Sequence, residues 1–139
     1  MKIELPDEAA TLDWGSEFAM TLTNELVFLR GSLGSGKTTL VRGILRAMGE
    51  SGVVKSPTYT LIEPYELKGR YVYHFDFYRI DDSAELAFIG VDDLMEGGAL
   101  KLVEWPERAL DRLPAPDIEL KLAIMGHERL LEVIDHRNQ

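Results

Sequence analysis

Gly31-Ser32-Leu33-Gly34-Ser35-Gly36-Lys37-Thr38 satisfies the pattern G-x-x-x-x-G-K-[ST] at every fixed position. What stands on either side decides how it is read. Leu26-Val27-Phe28-Leu29 is a short run of bulky apolar residues suited to a buried strand, and Thr39 to Met48 carries apolar residues at helical spacing. Strand, glycine loop and helix form the context that a phosphate-binding loop requires. Gly31, Gly34 and Gly36 tolerate φ > 0 and carry no Cβ, so successive backbone N–H groups, Ser35 among them, can turn inward around an anion at a helix N-terminus. In such a loop Lys37 reaches the β- and γ-phosphates of a nucleoside triphosphate and the Thr38 hydroxyl is a Mg²⁺ ligand.

The remaining composition fits a small α/β protein. The 139 residues suit one domain spanning 1–139, with 45% hydrophobic residues to build its core. No apolar run reaches the length of a membrane span and no signal-peptide pattern opens the chain, so the expected location is the cytoplasm with no membrane partner. The absence of cysteine excludes disulfides, thiolate chemistry and Cys-ligated metals. A net charge of −9, with dispersed basic residues, argues against nucleic acid held mainly by this chain's own phosphate contacts. A protein partner with a basic face fits that charge better.

Outward from the loop, the patterning predicts the following elements. Lys2 to Leu5 is a first strand, and Pro6 to Met20 a helix interrupted near Gly15. Trp14 and Phe18, one helical turn apart, are core contacts. Gly49 caps the helix that follows the phosphate loop. Residues 59–67 and 71–77 form an antiparallel hairpin, with Pro57 and Pro64 placing its first strand at an edge. Asp81 to Leu86 is a short capped helix stopped by Gly90, and Val91 to Met95 another helical turn. Ala99 to Glu104 is an apolar strand, Pro106 to Leu113 a short helix, and 118–124 with 128–134 a closing hairpin. The predicted sheet is mixed, parallel in part and antiparallel in part, and flanked by helices.

Phosphate-loop chemistry needs a further Mg²⁺-organising carboxylate and a group that orients the attacking water or acceptor hydroxyl. Asp76, inside His74-Phe75-Asp76-Phe77-Tyr78, and Glu104, after Leu102-Val103, both stand at the ends of apolar strands. A carboxylate there has a desolvation cost that Mg²⁺ would offset. The alternative for Asp76 is pairing with Arg79 or a backbone turn. His74 reads as a satisfied core histidine or as a base. Ser56 and Thr58 read as a Ser-Pro turn or as hydroxyls that respond to a γ-phosphate.

Four stretches together resemble the TsaE family of bacterial ATPases: Gly31 to Thr39, Val54-Lys55-Ser56-Pro57-Thr58-Tyr59-Thr60, Tyr73-His74-Phe75-Asp76-Phe77-Tyr78-Arg79 and Leu102-Val103-Glu104-Trp105-Pro106. Their order and spacing match from about residue 1 to 135. The resemblance implies a P-loop fold, ATP and Mg²⁺ as cofactors, and slow hydrolysis in isolation. It implies action with TsaD and TsaB, which transfer a threonylcarbamoyl group to tRNA, so that tRNA is met indirectly through the complex. Carried over by motif, Gly34, Ser35, Gly36, Lys37, Thr38 and Thr39 bind the nucleotide, and Thr38, Asp76 and Glu104 serve the Mg²⁺ site. Glu104 with Lys37 performs hydrolysis, and Trp105, Ser56 and Thr58 lie near the nucleotide. One departure is visible, since the family's loop usually reads G-D-L-G-A-G-K-T-T and Ser32 and Ser35 replace its Asp and Ala here. Two other readings compete with an assembly ATPase. A small-molecule kinase would need an arginine-rich lid, which the sequence lacks. A nucleotide-dependent binding module would hydrolyse only incidentally. No N-K-x-D-type segment points to guanine.

Overall fold

The computed structural model describes residues 1–137. Strand β2 (Leu26–Arg30) lies at the centre of a seven-stranded sheet, because both its faces are apolar. Val27 and Leu29 pack with Leu40, Val41 and Ile44 on one side, and Leu26 and Phe28 with Phe75, Phe77 and Val103 on the other. The strand order is β1-β7-β6-β2-β5-β4-β3. Here β1 is Lys2–Leu5, β3 Ile62–Leu67, β4 Arg70–Asp76, β5 Leu100–Glu104, β6 Ile118–Met125 and β7 Glu128–Asp135. The four inner strands β6, β2, β5 and β4 are parallel, so their carboxyl ends share one edge. The outer pairs β1/β7, β7/β6 and β4/β3 are antiparallel. The sheet is therefore mixed, flanked by α1 (Glu8–Ala19) and α2 (Lys37–Ala47) over one face and α3 (Val91–Glu96) beside the other core.

Helix α1 runs unbroken through Gly15, where the sequence suggests an interruption. The glycine is there for packing: a Cβ would stand 2.7 Å from the Leu40 carbonyl oxygen, and one on Gly43 would stand 2.5 Å from that of Leu12. The two helices thus pack backbone to backbone at two points. Trp14 stacks on Phe18 at 4.8 Å, a core contact as expected.

Strand β3 begins at Ile62, three residues later than the sequence suggests. Leu61 adopts φ 70° and its N–H bonds to the Pro57 carbonyl, which closes a turn over 57–61. Pro64 sits on the outermost strand, where its missing N–H costs no ladder bond. Residues 106–113 form two single 3₁₀ turns, Pro106–Arg108 and Leu110–Arg112, in place of one helix. Gly49 and Gly90 end their helices at φ 116° and 74°. Among the described residues no helix is long and apolar enough to cross a membrane.

Candidate nucleotide site

Three loops meet at the shared carboxyl edge. The first, Gly31 to Gly36, joins β2 to α2; Gly34 and Gly36 hold φ 77° and 103° with open space where a Cβ would be. Gly36 leads directly into α2, whose first residue is Lys37, so the free N–H groups of the helix start face the loop's concavity. The second loop follows β4 and the third follows β5. The register pairs Asp76 with Glu104 and Glu104 with Leu29, which brings both strand-end carboxylates beside the loop.

A cavity of about 280 Å³ opens there. It is bounded by the loop from Leu33 to Thr39, by Asp76, Glu104 and Trp105, and by Ser56 and Thr58 of the segment that joins α2 to β3. Gly34 to Thr39, Ser56, Thr58, Asp76, Glu104 and Trp105, the residues assigned from the sequence to nucleotide, metal and hydrolysis, all line this one space, whereas His74, read as a core histidine or a base, does not.

The side chains are held by specific bonds. Thr38 donates its hydroxyl to the Glu104 carboxylate at 3.1 and 3.2 Å. Thr58 donates to Asp76 Oδ2 at 3.0 Å, and Ser56 and Thr58 share a hydroxyl bond of 2.8 Å. Asp76 Oδ1 accepts the Tyr78 N–H at 2.9 Å, the backbone turn considered for it, whereas Arg79 stacks on the Tyr59 ring instead of pairing with Asp76. Lys37 donates to the carbonyls of Gly31 and Ser32 at 2.5 and 3.1 Å, and its ammonium lies 4.4 Å from the centre of the Trp105 ring. Trp105 is itself turned into the left-handed region, φ 57°, as the chain leaves β5.

Lys37, Asp76 and Glu104 are only 5%, 4% and 3% exposed. Burial dominates the electrostatics of Lys37 and Asp76. Loss of solvation lowers the Lys37 ammonium below its ordinary value, partly offset by Glu104 and Asp76. The same loss raises Asp76, and the neighbouring Glu104 charge adds to it, against the bonds from Tyr78 and Thr58. Charges buried this way and short of opposite partners suit a site that receives a charged ligand.

The donor set fits a magnesium–phosphate ligand. Among the described residues no three His, Cys, Asp or Glu side chains gather into a cage. Two carboxylates and a hydroxyl beside a loop of free amides match a hard cation that takes its other ligands from phosphate and water.

Two contacts escaped the sequence reading. His74, which reads from the sequence as a core histidine or a base, is fully buried on β4 and places Nε2 2.5 Å from Glu104 Oε2. A second cavity of about 260 Å³ shares Gly34, Gly36 and Thr39 with the first and is bounded by Asp7, Glu8 and Thr11 at the start of α1 and by His127 and Arg129 at the β6–β7 turn. Arg129 reaches the loop there, donating to the carbonyls of Ser35 and Gly34, both at 3.2 Å. No local pattern marks either feature, since both depend on which strands become neighbours.

Comparison with known proteins bears on the family and the fold. The model of the family described as "Threonylcarbamoyl adenosine biosynthesis protein TsaE" matches residues 5–131. A tRNA threonylcarbamoyladenosine biosynthesis protein TsaE from Haemophilus influenzae is 42% identical over 96% of this chain and 89% of its own. One from Synechocystis is 38% identical over 83% of this chain and 75% of its own. A crystal structure of Bacillus subtilis YdiB superposes with a TM-score of 0.84 over 99% of this chain and 86% of that one; at 24% identity it bears on the fold alone. The chain belongs to the TsaE family, whose place is in the biosynthesis of threonylcarbamoyladenosine in tRNA.

Proposed function

We propose that the 280 Å³ cavity binds ATP with Mg²⁺ and hydrolyses it, and that this turnover serves the TsaD–TsaB complex that performs the threonylcarbamoyl transfer to tRNA. The observation that carries the reading is the meeting of Lys37, Thr38, Asp76 and Glu104 beneath an open glycine loop. Thr38, Asp76 and Glu104 would hold Mg²⁺, which when bound neutralises charge on the β- and γ-phosphates.

The chain's own groups divide the remaining work. Amides of Gly34, Ser35, Gly36, Lys37, Thr38 and Thr39 cradle phosphate oxygens at the head of α2. Lys37 turns from its loop carbonyls to the β- and γ-phosphates, guided by the Trp105 ring. Glu104 orients the attacking water and takes its proton as the bond from the water oxygen to the γ-phosphorus forms and the bond to the ADP oxygen breaks. Ser56 and Thr58, joined to Asp76, couple the 54–60 loop to what occupies the cavity. The second cavity, sharing Gly34, Gly36 and Thr39, receives the nucleoside half. The net charge of −9 suits a protein that meets tRNA through partners. A cytoplasmic location follows from that pathway.

The test is Mg²⁺-dependent turnover of ATP, with GTP in parallel, by the purified protein alone and with TsaD and TsaB. Slow turnover that prefers ATP and rises with the partners is the expected result. Phosphate transfer to an alcohol or nucleoside would replace this reading with a kinase, and turnover indifferent to TsaD and TsaB would remove the assembly role.

A further inference from the structure

Side chains alternate along β4 and β5. Val72 and, on β5, Leu100 and Leu102 join the core under α2, while Phe75 and Val103 join the opposite core. His74, Asp76 and Glu104 share the parity of the first set and so face α2. With Asp76 paired to Glu104 and His74 to Leu102, the imidazole lies one step behind the Glu104 carboxylate on the neighbouring strand. Glu104 is thereby held from two directions. Thr38 donates from the start of α2, and His74 Nε2 meets Oε2 from inside the core.

His74 is fully buried, and its Nδ1 has no hydrogen-bond partner among the described residues. An ionised carboxylate can only accept, so the imidazole carries its proton on Nε2 and donates it to Glu104. A proton on Nδ1 would bury an unpaired donor at a cost of about 1–3 kcal/mol. The ring therefore makes one polar bond, and that bond is to Glu104. A structural histidine in a polar network would use both nitrogens, and a core position that needs only volume is filled at lower cost by leucine or phenylalanine. What the imidazole adds here is control of the Glu104 carboxylate. Oε1, which among the described residues accepts only from Thr38, at 3.2 Å, is left as the freer oxygen.

We propose that His74 is the positioning residue of Glu104, its Nε2–H fixing the carboxylate in a single orientation toward the attacking water. This rests on the cavity being a site of ATP hydrolysis. His74 does not line the cavity, so its loss acts on the chemical step and leaves nucleotide contacts in place.

The test compares His74→Gln, His74→Asn and His74→Leu in the full-length protein by steady-state MgATP turnover. Glutamine's amide nitrogen reaches the position of Nε2 and asparagine's that of Nδ1, so the two amides differ in reach while sharing polarity. The expected result is kcat about 10–100-fold lower for His74→Asn and His74→Leu, the usual cost of removing an outer-shell partner, with KM for ATP unchanged and His74→Gln restoring most of the loss. Equal kcat in the glutamine and asparagine variants, wild-type kcat in either short or apolar variant, or an effect confined to KM overturns the proposal. Imidazole ¹⁵N shifts of the wild-type protein give a readout without turnover, with a protonated Nε2 and bare Nδ1 expected. A proton on Nδ1 contradicts the proposal whether or not the protein hydrolyses ATP, whereas absent wild-type turnover with the expected tautomer refutes the ATPase reading and, with it, the proposed role of His74.

Discussion

The two ends of the parallel strands hold charge in opposite ways. At the amino ends Arg137 donates to Asp135 at 2.7 Å, to the Thr21 carbonyl at 2.8 Å and to Glu25 at 3.4 Å. Asp117 accepts the Leu26 N–H at 2.8 Å, which fixes the start of β2. The Arg137 guanidinium holds the Asp135 carboxyl down at about 2, and Glu25 also lies below the usual carboxylate range, where burial is outweighed by bonds from Thr23 and Arg137. At the carboxyl ends burial wins: Asp76 is raised and Lys37 lowered. Lys101 marks the limit of the contrast, because it sits near the amino end with its ammonium on the Gly97 carbonyl and is lowered by burial too. Paired charges at one end secure strand starts, and undercompensated charges at the other form a receptor.

Removing charge at Asp76 and at Arg137 should therefore change stability with opposite signs. The largest effect is expected from Glu104→Gln, which should lower kcat about 100-fold or more, as loss of a general base does, while ATP affinity measured by calorimetry stays near wild type. Lys37→Ala should weaken ATP binding by about 100-fold, the scale of a truncated charged pair, with little effect on thermal unfolding without nucleotide. Asp76→Asn should abolish Mg²⁺-dependent turnover yet raise the nucleotide-free unfolding temperature. Its folded carboxyl is raised, so ionisation costs stability at neutral pH and that cost disappears as pH falls below the unfolded value; the gain should shrink accordingly in acid-range calorimetry. A lowered unfolding temperature at pH 7 would break the contrast.

The smallest effect is expected at the amino ends. Arg137→Met should destabilise by about 1 kcal/mol at pH 7, a modest figure because the Asp135 side chain is 36% exposed and screened. A depressed carboxylate contributes stability above its unfolded pKa and loses it as pH falls through the folded value. The difference from wild type should thus persist to about pH 4 and fade toward about 2, read from urea midpoints across that range.

Much of this site was legible because its residues announce themselves locally. The phosphate loop is contiguous, and Asp76 and Glu104 stand out as acids closing apolar strands. Non-local contacts were not legible. Gly15 looked like a helix break because the sequence does not reveal the Leu40 carbonyl against which it packs. The turn over 57–61 depends on Leu61 at φ 70°, an unusual conformation for a leucine, stabilised by its bond to Pro57. His74 could not be assigned before the β4/β5 register placed it behind Glu104, nor Arg129 before β6 and β7 brought their turn beside the loop.

The most direct test of the receptor assignment is calorimetric titration of ATP into the wild-type protein, Lys37→Ala and Arg137→Met, with and without Mg²⁺. One Mg²⁺-dependent site, weakened about 100-fold in Lys37→Ala and retained in Arg137→Met, is the predicted result. Binding that is indifferent to Lys37, or lost with Arg137 in a folded protein, would contradict it.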